Sequence, residues 1–157
     1  MSKLKILWVD DKIDLLKSHI IFLNERNYDV ETCTNGNDAL DKISNQRYDI
    51  ILLDAPCTGT GVLSKRADLR WRRDEEGLKN AVDLQAQLLE EAANMVKRGG
   101  RLVYSTCSLE PEENMEQVQK FLENYPTFEL QPLEDFVPEE VLTEDGLAYQ
   151  TYPHKQS

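Results

Sequence analysis

Positive charge is scarce in this chain. Its 157 residues carry 18 Lys and Arg against 29 Asp and Glu, a formal charge of −11, which argues against a generally basic nucleic-acid binder. Long apolar runs are missing as well. None approaches the length of a bilayer span and no apolar signal core opens the chain, so a cytoplasmic protein without membrane segments is expected. Cysteine occurs three times, at Cys33, Cys57 and Cys107. An odd number in no metal-ligand spacing points to reduced thiols rather than a disulfide framework or a zinc site. No internal repeat, low-complexity block or second domain is visible.

What is present is an alternation of strand and helix patterns. Leu4 to Val9 reads as a buried strand closed by Asp10-Asp11. Leu15, Leu16, Ile20 and Leu23 recur at helical spacing, with a helix expected over 13–23. Residues 27–33 alternate like an edge strand, on which Cys33 reads as packing; Asn35-Gly36 marks a turn, and 38–43 a short helix. Ile50 to Leu53 is an apolar run suited to a central parallel strand, ending at Asp54 before Pro56, Gly59 and Gly61 break regular structure. A long helix is expected over 78–97, stopped by Gly99-Gly100, then a strand over 101–106. A helix follows, opened by Pro111, and Phe128 to Leu133 reads as a last strand or only a loop.

Connections this short force right-handed crossovers. The expected fold is a three-layer, doubly wound α/β domain over residues 1–133. Its mainly parallel sheet has five strands in the order 2-1-3-4-5, flavodoxin- or Rossmann-like. Residues 134–157 read as an acidic, irregular tail; 129–146 hold seven acids and no base. An uncovered last strand would leave an edge able to pair between chains. The bases concentrate instead in 64–73, where Lys65, Arg66, Arg70, Arg72 and Arg73 surround Trp71. They suit RNA phosphates, with Trp71 stacking on a base, or equally a solvated face.

Asp10, Asp11 and Asp54 would end neighbouring strands. Such crowding is unfavourable unless a cation is shared, and oxygen ligands of this kind suit Mg²⁺; the alternative is acids at a solvated rim. Lys5-Ile-Leu-Trp-Val-Asp-Asp11, Gly36-Asn-Asp-Ala-Leu40 and Tyr48-Asp-Ile-Ile-Leu-Leu-Asp54 make residues 1–54 resemble the receiver domain of response regulators. That resemblance implies Mg²⁺ on the three acids, with Asp54 as phosphoacceptor. The Met-Pro-Gly-type loop and strand-end Lys of receivers are not found.

The second half carries another series: Asp54-Ala-Pro-Cys57-Thr-Gly-Thr-Gly61, Arg70-Trp-Arg-Arg73, Leu84-Gln-Ala-Gln87, Tyr104-Ser-Thr-Cys107-Ser108 and Glu110-Pro-Glu-Glu-Asn114. It resembles the catalytic half of Sun-type (RsmB-like) RNA cytosine-C5 methyltransferases over residues 48–154. A thiolate is a soft nucleophile able to add to C6 of a pyrimidine, and a base must later remove the C5 proton. By resemblance Cys107 is the nucleophile, Cys57 assists proton removal and product release, and Asp54 contacts the base or orients groups around it. Both thiols as small buried hydrophobes is the alternative. The family's Gly-rich loop for S-adenosylmethionine is missing after the first strand, where Asp10-Asp11-Lys12 stands.

These two resemblances lead to the expectation of a chimera, natural or engineered, joined near the central strand. Three functions follow: a recombined scaffold whose inherited sites lack complete activity, an RNA cytosine-C5 methyltransferase, or a Mg²⁺-dependent phosphoacceptor.

Overall fold

A computed structural model of the chain describes residues 3–10, 12–34, 46–63, 74–133 and 137–151. The expected turn at Asn35-Gly36, the helix over 38–43, Asp11 and the basic stretch 64–73 lie outside the described residues. Strands β1 (Leu4–Val9), β2 (Tyr28–Cys33), β3 (Tyr48–Asp54) and β4 (Val96–Ser105) form one sheet in the order β2-β1-β3-β4. Every pairing is parallel, so each strand needs a crossover and all four tips point the same way. Leu7 pairs with Ile51, which joins the chain's first strand directly to its central one.

The core sits on this pairing. Leu7 and Ile51 are fully buried with Tyr48, and Val9, Leu53, Leu89, Ala92, Met95 and Val96 close around them. Ile6 and Leu7 are consecutive and both buried, so β1 is covered on both faces, as parallel strands in α/β folds are. Helix α1 (Lys17–Glu25) packs on β2, α2 (Glu75–Met95) on β3 and β4, and α3 (Met115–Asn124) on α2. The result is the expected parallel α/β Rossmann-like architecture.

Four details differ from the sequence reading. Among the described residues the sheet has four strands rather than five, because Phe128–Leu133 forms none. The Phe128 ring instead packs on Phe121 at 5.2 Å, edge to face, and Phe121 stacks on Tyr125 at 4.9 Å; Pro132 would in any case lack a ladder donor. Helix α1 starts late, because Ile13–Leu16 is a 3₁₀ turn. The tighter winding swings Leu15 outward, leaving it 78% exposed rather than in the core.

Helix α2 starts early, at Asp74, whose side chain caps it by accepting from Gly77 N at 2.7 Å. It also ends early, at Met95, and β4 begins at once. Tyr48 pairs with Val96 but Ile50 pairs with Arg101, so two steps along β3 face five along β4. Gly99 and Gly100 absorb the excess. Gly99 takes a φ of 75°, and a Cβ on Gly100 would stand 2.7 Å from the Asp49 carbonyl oxygen. In the acidic C-terminal segment, Leu142 and Tyr149 form an antiparallel bridge, and Leu133 N donates to Gly146 O at 3.0 Å.

A candidate active site at two strand tips

Open parallel sheets place chemistry at the carboxyl tips of their strands. β3 and β4 end side by side, with Asp54 in register with Ser105. Their pairing continues one residue further, since Ala55 N donates to Ser105 O at 2.9 Å. Ser105 Oγ donates to Asp54 Oδ1 at 2.8 Å, fixing the Asp54 carboxylate above the tips. The chain then leaves both strands in parallel loops, each carrying a cysteine. Cys57 Sγ and Cys107 Sγ stand 3.1 Å apart, and Cys107 N donates to Cys57 Sγ at 3.3 Å.

The two thiols are not equivalent. Cys57 is half-buried and Cys107 exposed. Either sulfur can donate in this contact; with Cys57 as donor the hydrogen bond, the largest influence, draws the Cys107 thiol down to about 7. Partial burial and the Asp54 charge oppose it, while the Cys107 backbone N–H and Lys12 reinforce it. Cys57 is pushed well above the ordinary thiol range by the same hydrogen bond, then by burial and by the neighbouring charge. Two sulfurs this close titrate as a unit. The first proton leaves the exposed Cys107 and the second stays on Cys57. Near neutrality the pair is therefore a thiolate nucleophile with a proton donor in contact, a combination suited to covalent catalysis.

A buried polar network that the sequence reading did not resolve holds the loops. Glu113, fully buried, accepts from Thr58 N at 2.9 Å, from Gln85 Nε2 at 3.0 Å and from the hydroxyls of Thr58 and Ser108. Gln85 Nε2 also donates to Pro56 O at 2.9 Å, and Tyr104 OH donates to Glu113 O at 2.8 Å. Burial first, then the Glu113 carboxylate and Cys57, raise the Tyr104 pKa and keep that phenol a donor. One signal for this network exists in the sequence. Gln85, Leu89 and Ala92 share a helix face by spacing, and a lone amide on an apolar stripe needs a buried partner.

The other sequence candidates divide. Cys33 lies in the core. Asp10 is 6% exposed and follows β1 beside the Asp54 strand; its Oδ1 accepts from Lys12 N at 2.7 Å. Asp11, the third member of the expected Mg²⁺ set, is outside the described residues. Among those described, no group of three His, Cys, Asp or Glu could hold a metal. Lys65, Arg66, Arg70, Arg72 and Arg73 are likewise outside them. No helix among the described residues is long and apolar enough to cross a membrane.

Known families supply the next observation. The family described as 16S rRNA methyltransferase RsmB/F matches residues 9–157. The chain belongs to this family. The match passes through residue 54, where a join was expected, and does not confirm a chimera. Ribosomal RNA small subunit methyltransferase B of Photorhabdus laumondii is 39% identical over 111 residues, 67% of this chain and 26% of that protein. The structure of NSun6 from Pyrococcus horikoshii with SFG superposes with a TM-score of 0.68 at 27% identity, over 96% of this chain and 38% of that one. A receiver domain from Methanospirillum hungatei also aligns, at 18% identity and a TM-score of 0.37, too slight to argue from. The chain spans about a quarter of the length of the RsmB/F relative from Photorhabdus.

S-adenosylmethionine is the donor expected of an RsmB/F methyltransferase. The described tip of β1 does not fit it. The turn after β1 has no glycine to let a ligand approach the backbone. Asp10, buried there, disfavours an anionic group beside that turn.

Proposed function

We propose that this chain supplies the pyrimidine-activating face of an RNA cytosine-C5 methyltransferase acting on ribosomal RNA. The observation that carries the reading is the 3.1 Å pair of thiols at adjacent strand tips, one exposed and one half-buried. Cys107 is the nucleophile. Its thiolate forms a bond to C6 of cytosine, and the displaced C5–C6 π pair makes C5 nucleophilic toward a methyl cation equivalent. Once C5 is substituted, loss of its proton returns the electron pair to C5–C6 and expels the Cys107 thiolate.

Cys57 is the group placed for that proton. Its own proton is retained while Cys107 is anionic. When Cys107 becomes a thioether that charge disappears, and Cys57 is free to ionise and accept the proton from C5. Asp54, held by Ser105, is positioned to take a hydrogen bond from the exocyclic amino group of cytosine. Because the β1 tip does not cradle the methyl donor, the assignment extends to the covalent adduct and not to the transfer itself.

The test uses RNA containing 5-azacytidine, whose C6 is more electrophilic than that of cytosine. The purified chain should form an adduct stable on a denaturing gel, with peptide mapping placing it on Cys107. Cys107→Ser should abolish it. On RNA with tritium at C5 of cytosine, where that proton exists, Cys57→Ala should slow tritium release at a pH where Cys107 is ionised in both proteins. An adduct on another residue, or none with the unaltered chain, would remove the reading.

A further inference from the structure

We infer that Glu113 is a positioning residue: its buried carboxylate ties the loop carrying Cys57 to the loop carrying Cys107 and thereby sets the distance between the two sulfurs. The functional meaning of this role rests on the reading above, whereas the geometry stands without it.

Glu113 is fully buried, and the four donors named around its carboxylate are all neutral. A buried carboxylate is costly unless hydrogen bonds replace its water. For packing alone an apolar side chain would serve as well. The distribution of the four bonds shows what the carboxylate does instead. Two come from Thr58, the residue after Cys57, and one from Ser108, the residue after Cys107. The fourth comes from Gln85, whose amide also holds Pro56, the residue before Cys57.

Cys107 is bracketed in the same way. Thr106 Oγ1 donates to Asn114 Oδ1 at 2.7 Å, and Asn114 Nδ2 donates to Ser108 O at 3.0 Å. Each cysteine thus lies between two anchored neighbours. The loops also touch directly, through Thr58 Oγ1 and Ser108 Oγ at 3.3 Å and through Thr60 Oγ1 and Ser108 Oγ at 3.2 Å, and Glu113 binds the residue after each cysteine from outside both loops. The acid sits in a 3₁₀ turn (Pro111–Glu113) just before α3, and Tyr104 OH holds its carbonyl from β4. Its position is therefore inherited from the sheet, not from the loops that it joins.

If the carboxylate sets the sulfur spacing, its loss must alter the thiol pair. Without the Cys57 donor, the remaining named influences on Cys107 are burial, Asp54, its own N–H and Lys12. Its titration then moves up toward the ordinary thiol value of 9.0. Near pH 7 the thiolate fraction falls about fiftyfold, and the greater reactivity of a more basic thiolate offsets most of that. The net expectation is a roughly five- to tenfold slower alkylation of Cys107.

The experiment measures the rate of Cys107 alkylation by iodoacetamide against pH, by peptide mass spectrometry, in the full chain and its variants. Glu113→Ala should shift the profile upward and slow alkylation near pH 7. Glu113→Gln should stay close to the unaltered protein, since its amide can accept from Thr58 N and donate to the two hydroxyls, which rotate to suit. A merely structural role would lower the unfolding temperature of Glu113→Ala without moving the profile. That result, in a folded variant, would overturn the inference. Should Glu113→Ala fail to fold, Thr58→Val, which removes one of the four bonds, must shift the profile in the same direction by a smaller amount; an unchanged profile would be equally decisive against it. Alkylation needs no RNA, so an unaltered chain with a low Cys107 profile but no azacytidine adduct would remove the proposed function and leave this role standing.

Discussion

Gly61→Ala separates a positioned thiol from a fortuitous one. Gly61 N donates to Cys107 O at 2.9 Å, so the loop after β3 lies directly on the backbone of the nucleophile. A Cβ at Gly61 would stand 2.9 Å from that same oxygen and 3.5 Å from its carbonyl carbon. A carbon normally keeps about 3.3 Å from a carbonyl oxygen. Relief therefore requires a shift of about 0.4 Å, and because the obstacle is backbone the loop bearing Cys107 must move. Overpacking of this kind costs about 1–3 kcal/mol, and the lost freedom of the unfolded chain returns about 0.4–1 kcal/mol. The expected net loss is between about zero and 2.6 kcal/mol, a fall of up to roughly 10 °C in unfolding temperature for a chain of this size. Calorimetry reads the stability, and iodoacetamide alkylation against pH reads Cys107. Gly99→Ala is the control: its φ of 75° strains any side chain, but nothing lies within 4 Å of a Cβ there. It should lose about 1 kcal/mol and leave the Cys107 profile unchanged. If Gly61→Ala matches the unaltered chain in both stability and profile, the claim that this contact fixes Cys107 is refuted.

Three further outcomes are expected. Cys57→Ala removes the donor that draws Cys107 down to about 7, so the midpoint of Cys107 alkylation should rise toward the ordinary thiol range; an unmoved midpoint would mean that Cys57 is a bystander. Asp74→Ala removes the cap on Gly77 N and should cost about 1 kcal/mol by urea unfolding, with no effect on the thiols. Asp49 is held below the usual carboxylate range by Lys97 and then by Lys5 N. Its folded pKa is depressed, so its contribution is present above the unfolded value and is lost as pH falls through the folded one. With both partners partly exposed, Asp49→Asn should cost at most about 1 kcal/mol at neutral pH. Chemical denaturation should show that gap closing in acid below the normal carboxylate range, and a gap that persists there would contradict the sign.

The legible parts of the structure were those governed by local pattern. The apolar run Ile50–Leu53 had to be a buried strand, and Pro56 and Gly59 had to end it. Placing Cys57 and Cys107 at adjacent strand tips then followed from crossover geometry. The missing parts depended on contacts between distant segments. Nothing local distinguishes Phe128 as an edge-strand residue from Phe128 as the third ring of a cluster with Phe121 and Tyr125. The early end of α2 reflects a register that only the partner strand imposes, through Asp49 lying against Gly100. Glu113 looked like one more acid in a helix-opening run, where acids suit the dipole, and its burial arises only once Thr58, Gln85 and Ser108 converge. The receiver-like pattern of residues 1–54 is not confirmed as a separate inheritance; doubly wound sheets of different families share this opening topology, so a pattern of this length speaks to the fold before the family.

The central claim is that two neighbouring thiols act as one unit in which Cys107 ionises first. Nuclear magnetic resonance of cysteine labelled with ¹³C at Cβ, followed across pH, tests it directly. The Cys107 signal should titrate with a midpoint near 7 while the Cys57 signal stays that of a protonated thiol well beyond it. Cys57 titrating first, or both thiols titrating together in the ordinary range, would contradict the account.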